Sequence, residues 1–264
     1  MHLEFLGFQA TAAAAVGTAA TAFTGDSLNV KNARDGSKIR LITAFSKNQT
    51  LGAMQIVAPS FNDTTRGIRW VGAAAQVMLP LMGFMPQMLQ PQELLSATII
   101  GTAVAGDIEQ GILGVWYDDS PGLNGSYLTP AQVREQGVRS VTVQASVTAT
   151  AAGSWTGAEL LTADSDLLRA NTRYALVGGQ AGIQVTAIGI RAPDWSNVRV
   201  AIPGDVNMGD ISQGWFAKLS EWNNMPLIPV FDSANKNNIF IDIGDDENGV
   251  ATTVNLNLVE LPRA

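Results

Sequence analysis

Three short landmarks recur along this chain in the same order and at nearly constant spacing. Thr24-Gly25-Asp26-Ser27 is echoed 138 residues later by Thr162-Ala163-Asp164-Ser165. Met54-Gln55-Ile56-Val57-Ala58-Pro59 is echoed by Ile188-Gly189-Ile190-Arg191-Ala192-Pro193 at a spacing of 134, and Met85-Pro86 by Met225-Pro226 at 140. A single match between Ala-rich or Val-rich segments carries little weight. Three in one order point to a duplicated unit of roughly 130 residues, about one ordinary domain. The expected organisation is a first unit over 1–120 with an N-terminal arm, a connector over 121–137, and a second unit over 138–264.

Apolar residues make up 46% of the 264 and charged residues only 15%, against a globular average of about 25% charged. Such a chain has much surface that need not face water, as when part of it is buried in an assembly. The net charge of −7, with no Lys or Arg between Arg69 and Arg134, argues against sequence-specific nucleic-acid binding, which relies on cations at phosphates. Cysteine is absent and His2 is the only histidine. That removes disulfides, thiolate chemistry and His-ligated metal sites from consideration. The uncharged run Trp70–Gln92 is long enough to span a bilayer, but Gly72, Pro80, Gly83 and Pro86 break it. A buried helix followed by an irregular apolar segment is the expectation there. No secretory signal is expected, because Glu4 stands where a basic n-region belongs.

Most of the remaining pattern is strand-like. Expected strands are 27–31, 38–45, 52–57, 67–71, 94–104 and 111–117 in the first unit, and 141–148, 173–177, 182–191, 198–202, 238–243 and 250–258 in the second. Val141, Val143, Ala145 and Val147 alternate with polar residues, as do Val254, Leu256 and Leu258. Phe5, Leu6 and Phe8 form an apolar anchor before an Ala-rich stretch, 9–25, that reads as a strand, a helix or an arm. Thr129-Pro130-Ala131-Gln132 fits a capped helix start, with Gly137 ending it. One longer helix is expected from Asp210 to Trp222, with Ile211, Trp215, Leu219 and Trp222 on one face. Its counterpart would begin near Trp70. Eight or so short strands per unit, separated by Gly, Asn, Asp and Pro, make the fold class all-β: two tandem antiparallel β-sandwich jelly rolls with short helical inserts.

The search for chemistry gives no committed site: no catalytic, cofactor-binding or metal residues are assigned. Carboxylates cluster at Asp118-Asp119, Asp164/Asp166 and Asp245-Asp246-Glu247, each beside turn-forming residues, so solvated turns are the expected setting. A glycosidase would need two of them at a set separation. The loop Asp242–Gly249 fails the EF-hand spacing at Gly244, and a looser calcium site there stays open. Gly178-Gly179-Gln180-Ala181-Gly182 lacks the Lys-Ser/Thr of a phosphate loop and reads as a turn between strands. Six Trp stand singly, and exposure of Trp155 or Trp195 would favour stacking on sugars.

The repeated Asp-Ser and Ala-Pro landmarks, two strand-rich units and a helix before the last strands give the chain a resemblance to the double jelly-roll major capsid proteins of tailless icosahedral phages and viruses. That resemblance implies a structural, non-enzymatic role without cofactors. It implies a homotrimer that presents a pseudo-hexameric capsomer and tiles an icosahedral virion shell after assembly in the host cytoplasm. Other capsid or vertex proteins would be partners, and an internal lipid membrane is a feature of many such shells. A carbohydrate-binding or receptor-attachment sandwich of a phage, and a double-sandwich glycan-active enzyme, are the alternatives.

Overall fold

Short β-branched and aromatic runs punctuated by Gly, Pro and Asn leave the chain little choice but strands joined by tight connections. The computed structural model describes residues 2–13, 17–33, 36–48, 53–61, 65, 67–71, 77–78, 87–100, 106–118, 126–161, 165–182, 184–204, 209–245 and 251–262. In the first half the strands are β1 (His2–Thr11), β2 (Thr18–Ala19), β3 (Thr21–Ala22), β4 (Ile39–Asn48), β5 (Ala53–Val57), β6 (Ile68–Val71), β7 (Val77–Met78), β8 (Gln87–Leu89), β9 (Ser96–Ile100) and β10 (Ile108–Tyr117). The second half carries β11 (Tyr127–Leu128), helix α1 (Pro130–Gln136), β12 (Arg139–Thr148), β13 (Trp155–Leu160), β14 (Arg173–Gln180), β15 (Val185–Arg191), β16 (Arg199–Pro203), helices α2 (Gly209–Ser212) and α3 (Trp215–Asn223), β17 (Ile228–Asp232), β18 (Phe240–Asp245) and β19 (Ala251–Leu261).

All named sheet pairings are antiparallel, and the chain is an all-β protein with few helices, in keeping with sandwich packing. Apart from the two-residue strands β3, β7 and β11, the strand order is the same in both halves. Residues 2–117 give β3-β1-β10-β4-β7, with β8 also on β4, and β2-β9-β5-β6. Residues 127–261 give β12-β19-β14-β17 and β13-β18-β15-β16. Taken in chain order, β1, β2, β4, β5, β6, β8, β9 and β10 occupy the places of β12 to β19.

Two finer details repeat with it. The step from β5 to β6 and the step from β15 to β16 both run through a buried Ala, a Pro and one 3₁₀ turn, Pro59–Phe61 and Pro193–Trp195. Phe61 N bonds Ala58 O and Trp195 N bonds Ala192 O, both at 3.0 Å. The Ala-Pro echo is therefore one structural joint made twice. A β-bulge also recurs. Between β10 and β4 the register jumps from Gly114↔Thr43 to Val115↔Leu41, leaving Ile42 unmatched. Between β14 and β19 it jumps from Leu176↔Leu258 to Gly178↔Asn257, leaving Val177 unmatched. Bulges hold their place when a fold is copied, and these two stand at the same point of equivalent strands.

Several expectations are corrected. The N-terminal segment is no arm: β1 is a central strand with residues 3–8 buried, and His2 stacks on Tyr117 at 4.4 Å. Both its faces are covered, so the alternation that marks a half-exposed strand is missing. Ser27–Lys31 is no named strand; its isolated bridge, Asn29↔Leu94, is flanked by backbone bonds Val30 N to Glu93 O, Gln92 N to Val30 O and Leu95 N to Leu28 O. The helix of 210–222 is two, α2 and α3, because the chain turns at Gln213-Gly214 and Gly214 caps α3. Asp210 lies inside α2 instead of capping a long helix, although Trp215 and Leu219 are fully buried as the stripe requires. Near Trp70 stands strand β6, with β7 beyond it; 72–76 and 79–86, including Met85-Pro86, lie outside the described residues, as do Thr162-Ala163-Asp164. No helix among the described residues is long and apolar enough to cross a membrane. The stretch 121–137 carries β11, which pairs with β17, and then α1, whose Thr129 forms a full capping box with Gln132.

Gly178 and Gly179 belong to β14, not to a loop. A Cβ on Gly178 would collide with the carbonyl oxygens of Ser212 and Gln213, so the missing side chain lets the α2–α3 turn settle on the strand. We expect Gly178→Ala to destabilise the protein by about 1–3 kcal/mol, the usual range for overpacking. Gly214→Ala, with open space around its Cβ, should stay within about 0.5 kcal/mol. Urea unfolding of both variants checks the contrast.

The outer end of β19 is held by an ion triad. Glu260, nearly buried, accepts from Arg139 on β12 and from Arg169 at 3.0 Å. Burial alone would push its carboxyl up; the two guanidiniums more than offset that and hold it below the ordinary value of 4.5. A depressed folded-state pKa contributes stability that is present above the unfolded value and is lost as pH falls through the folded one. Glu260→Gln should therefore cost stability at pH 7, with the gap from the parent closing below about pH 4.5. Urea midpoints measured across pH 3–7 test this.

Candidate functional site

The feature that organises the molecule is the seam between its halves. The sheet containing β1, β10 and β4 turns Leu6, Phe8, Leu113 and Val115 toward the first half's own core. Its opposite face carries Leu3, Phe5, Ile42, Phe45, Ile112 and Trp116, which join the core of the second half in one continuous cluster. Alternation of side chains along a strand makes this division unavoidable. Opposite them lie β15, β16 and α3. Phe5 meets Phe216 edge-on at 6.4 Å, Phe45 meets Trp215 at 5.6 Å, and Trp116 meets Tyr127 at 5.4 Å.

Three polar clasps cross the seam along β1 and β10. At the end of the sheet near His2, Leu3 N donates to Tyr127 Oη at 3.1 Å. Burial drives the Tyr127 phenol well above its ordinary range, against a smaller opposite pull from the Leu3 amide, so it stays neutral. At the other end Gln110, wholly buried, is satisfied from the second half: its amide donates to Asp245 O at 2.7 Å and it accepts from Thr186 Oγ1 at 2.7 Å. Lys47 Nζ donates to Gln184 O beside it.

The middle clasp is charged. Asp26 Oδ2 accepts from Gly7 N at 2.7 Å and from Trp155 Nε1 at 2.6 Å, while Oδ1 accepts from Arg199 Nη1 at 2.9 Å. Arg199 also donates to Asp242 at 3.1 Å, and Asp242 receives a two-point bond from Arg191 at 2.7 and 2.9 Å. The Arg199 guanidinium lies 4.6 Å over the Trp155 ring, and Phe23 meets that ring edge-on at 5.6 Å. Asp26 thus joins the first half to a chain of alternating charge on β15, β16 and β18. Charge-assisted bonds of this kind are the strong ones, and each partner here is largely desolvated.

The acids singled out in the sequence do not meet. Asp118 stands exposed just past the Tyr117 end of β10, while Asp245, buried at the end of β18, reaches Gln110 near the other end. Eight strand residues separate the two places, about 26 Å, against the roughly 5–9.5 Å that glycoside hydrolysis needs. Asp166 is exposed on a 3₁₀ turn; Asp119, Asp164, Asp246 and Glu247 lie outside the described residues. Asp242, in the expected strand 238–243 and the first residue of the candidate calcium segment, is a buried strand residue committed to two arginines. No group of three or more metal-ligating side chains stands together among the described residues. Trp195 is fully buried with Nε1 on Val230 O, and Trp155, partly buried, is bound into the charged clasp with the Arg199 guanidinium over its ring. Arg191 and Asp26 were visible only as parts of the repeated landmarks. Nothing in their spacing announces that one lies across a seam from the other.

No protein-family model matches the chain, and no curated protein does. It is similar to solved structures that include the PBSX exported protein XepA, 12% identical, covering 97% of this chain and 86% of that one with a TM-score of 0.28. They also include the STIV MCP, a major capsid protein, 7% identical, covering 98% of each chain with a TM-score of 0.23. Superpositions this loose fix no function.

Removing one member of a buried, hydrogen-bonded ion pair leaves the other charge uncompensated, at about 3–5 kcal/mol. Asp26→Ala should lose stability in that range. A double-mutant cycle with Arg199→Ala should return a coupling of about 0.5–3 kcal/mol, measured by chemical denaturation.

Proposed function

We propose that the chain is a structural shell protein built as a double jelly roll, three copies of which form a pseudo-hexameric capsomer of an icosahedral virion. The observation that carries this reading is the repeat of one eight-strand order in both halves, down to the same bulge and the same Ala-Pro joint. Eight strands in two sheets in that order are the jelly-roll arrangement. The seam supports it further, because it fixes the two blocks side by side at one angle. A ring of three such chains meets its neighbours through six similar blocks, which lets a trimer satisfy six-fold packing. The low charge suits burial of the remaining faces against other copies and against further shell or vertex proteins. In this reading the protein is not an enzyme, and it acts in the virion after assembly in the host cytoplasm.

Light scattering coupled to size-exclusion chromatography, followed by electron microscopy, tests the proposal. Trimers with a six-cornered outline, or closed shells, are the expected result. A monomer at high concentration that never closes into rings would sink it.

A further inference from the structure

The mouth of the first sandwich holds a polar cavity of about 500 Å³, with Glu4 and Leu6 at its base and the 25–32 segment and Gln92 as its walls. Glu4 sits on the inward face of β1, on the same side as Leu6 and Phe8. Its side chain is only 9% exposed. One carboxylate oxygen pairs with Lys31, while the other, Oε2, is buried with no hydrogen-bond partner among the described residues. A buried acceptor left empty costs about 1–3 kcal/mol, more when charged. The second half avoids that cost: the third residue of β12, the equivalent strand, is Val141, buried and apolar.

We propose that this cavity binds a primary ammonium group, with Glu4 Oε2 as its anchor. An ammonium has three donors and no acceptor. One fits the empty Glu4 oxygen, and the side-chain oxygens of Ser27, Asn29 and Gln92 offer acceptors for the others. The charge is right. Asp26, the other carboxylate of the lining, is already committed to Arg199, so Glu4 carries the charge here, and its partner Lys31 is 57% exposed along its side chain and free to swing outward. A divalent metal fits less well, since two carboxylates and an ammonium make a poor cage for it. A sugar also fits less well, since no aromatic ring lines the cavity among the described residues. The ammonium can come from a free amine or from a lysine of a second copy; the chemistry at Glu4 is the same.

Titration calorimetry of the full chain with putrescine reads the site directly. The expected Kd is on the order of 1 mM. Glu4→Gln should weaken binding by at least about tenfold, and Glu4→Val, the residue type found in the other half, should do the same. Lys31→Ala should tighten it, because it removes the competing cation from a surface position that the core does not need. Sedimentation velocity separates the sources. Putrescine and Glu4→Gln both reduce self-association if a neighbour's lysine is the occupant, and both leave it unchanged if a free amine is. Two results would overturn the site. One is no heat with the parent and Lys31→Ala alike, alongside self-association that Glu4→Gln leaves unaltered. The other is Glu4-dependent binding of calcium chloride or glucose with none of putrescine. The outcome is independent of whether the protein builds a shell.

Discussion

A sheet covered on both faces has no solvent side on which to place polar groups, and β1, β10 and β4 form such a sheet. Everything that crosses it must either be apolar or find a partner. Gln110, Asp26 and the Leu3 amide do find partners, and each of them has at least one in the second half. The seam is therefore specified as well as sticky. Aromatic contacts supply burial without much direction, while the three clasps set where along the strands the halves must sit. Glycine completes the fit. A Cβ on Gly7 would strike Phe23, and one on Gly244 would press on it from the other half, so Phe23 is held between two bare backbones.

The two halves use the same strand order for unequal tasks. The equivalent of β1 in the second half, β12, exposes alternate residues along its length, whereas β1 is buried on both faces. The difference follows from position: β12 closes the outer end of its sheet, and β1 presses against a neighbour. The two halves share one strand order, and the seam sets them apart. Asp26, Phe23 and Glu4 are specialised on one side, while Val141 keeps the plain apolar character of an interior strand residue.

That asymmetry explains what the sequence showed and what it hid. Strands facing water on one side, such as β12 and β19, were legible because their side chains alternate. The Ala-Pro joint was legible because proline fixes the backbone wherever it stands. By contrast the sequence leaves the N-terminal stretch open between strand, helix and arm, since a strand buried on both faces, as β1 is, carries no period to read. The Gly178-Gly179 pair resembled a loop because the reason for its glycines, the carbonyls of Ser212 and Gln213, lies more than thirty residues away. The helix at 210–222 kept its buried stripe but not its continuity, because Gly214 turns the chain within it. Asp26 was noticed as a landmark of the repeat, but its partners Trp155, Arg199 and Gly7 are a matter of tertiary contact alone.

The charged clasp bears on how two copies of one fold become a single part. An apolar seam alone would tolerate sliding by one residue or by two, because aromatic rings pack in many offsets. A carboxylate that must receive Gly7 N, Trp155 Nε1 and Arg199 together accepts one registration only. Arg199 is itself fixed by Asp242, and Asp242 by Arg191, so the constraint extends across three strands of the second half. A rigid angle between blocks matters little to a protein that works through one pocket. It matters greatly to one whose blocks must meet neighbours on several sides, since an error at the seam would be repeated at every such contact.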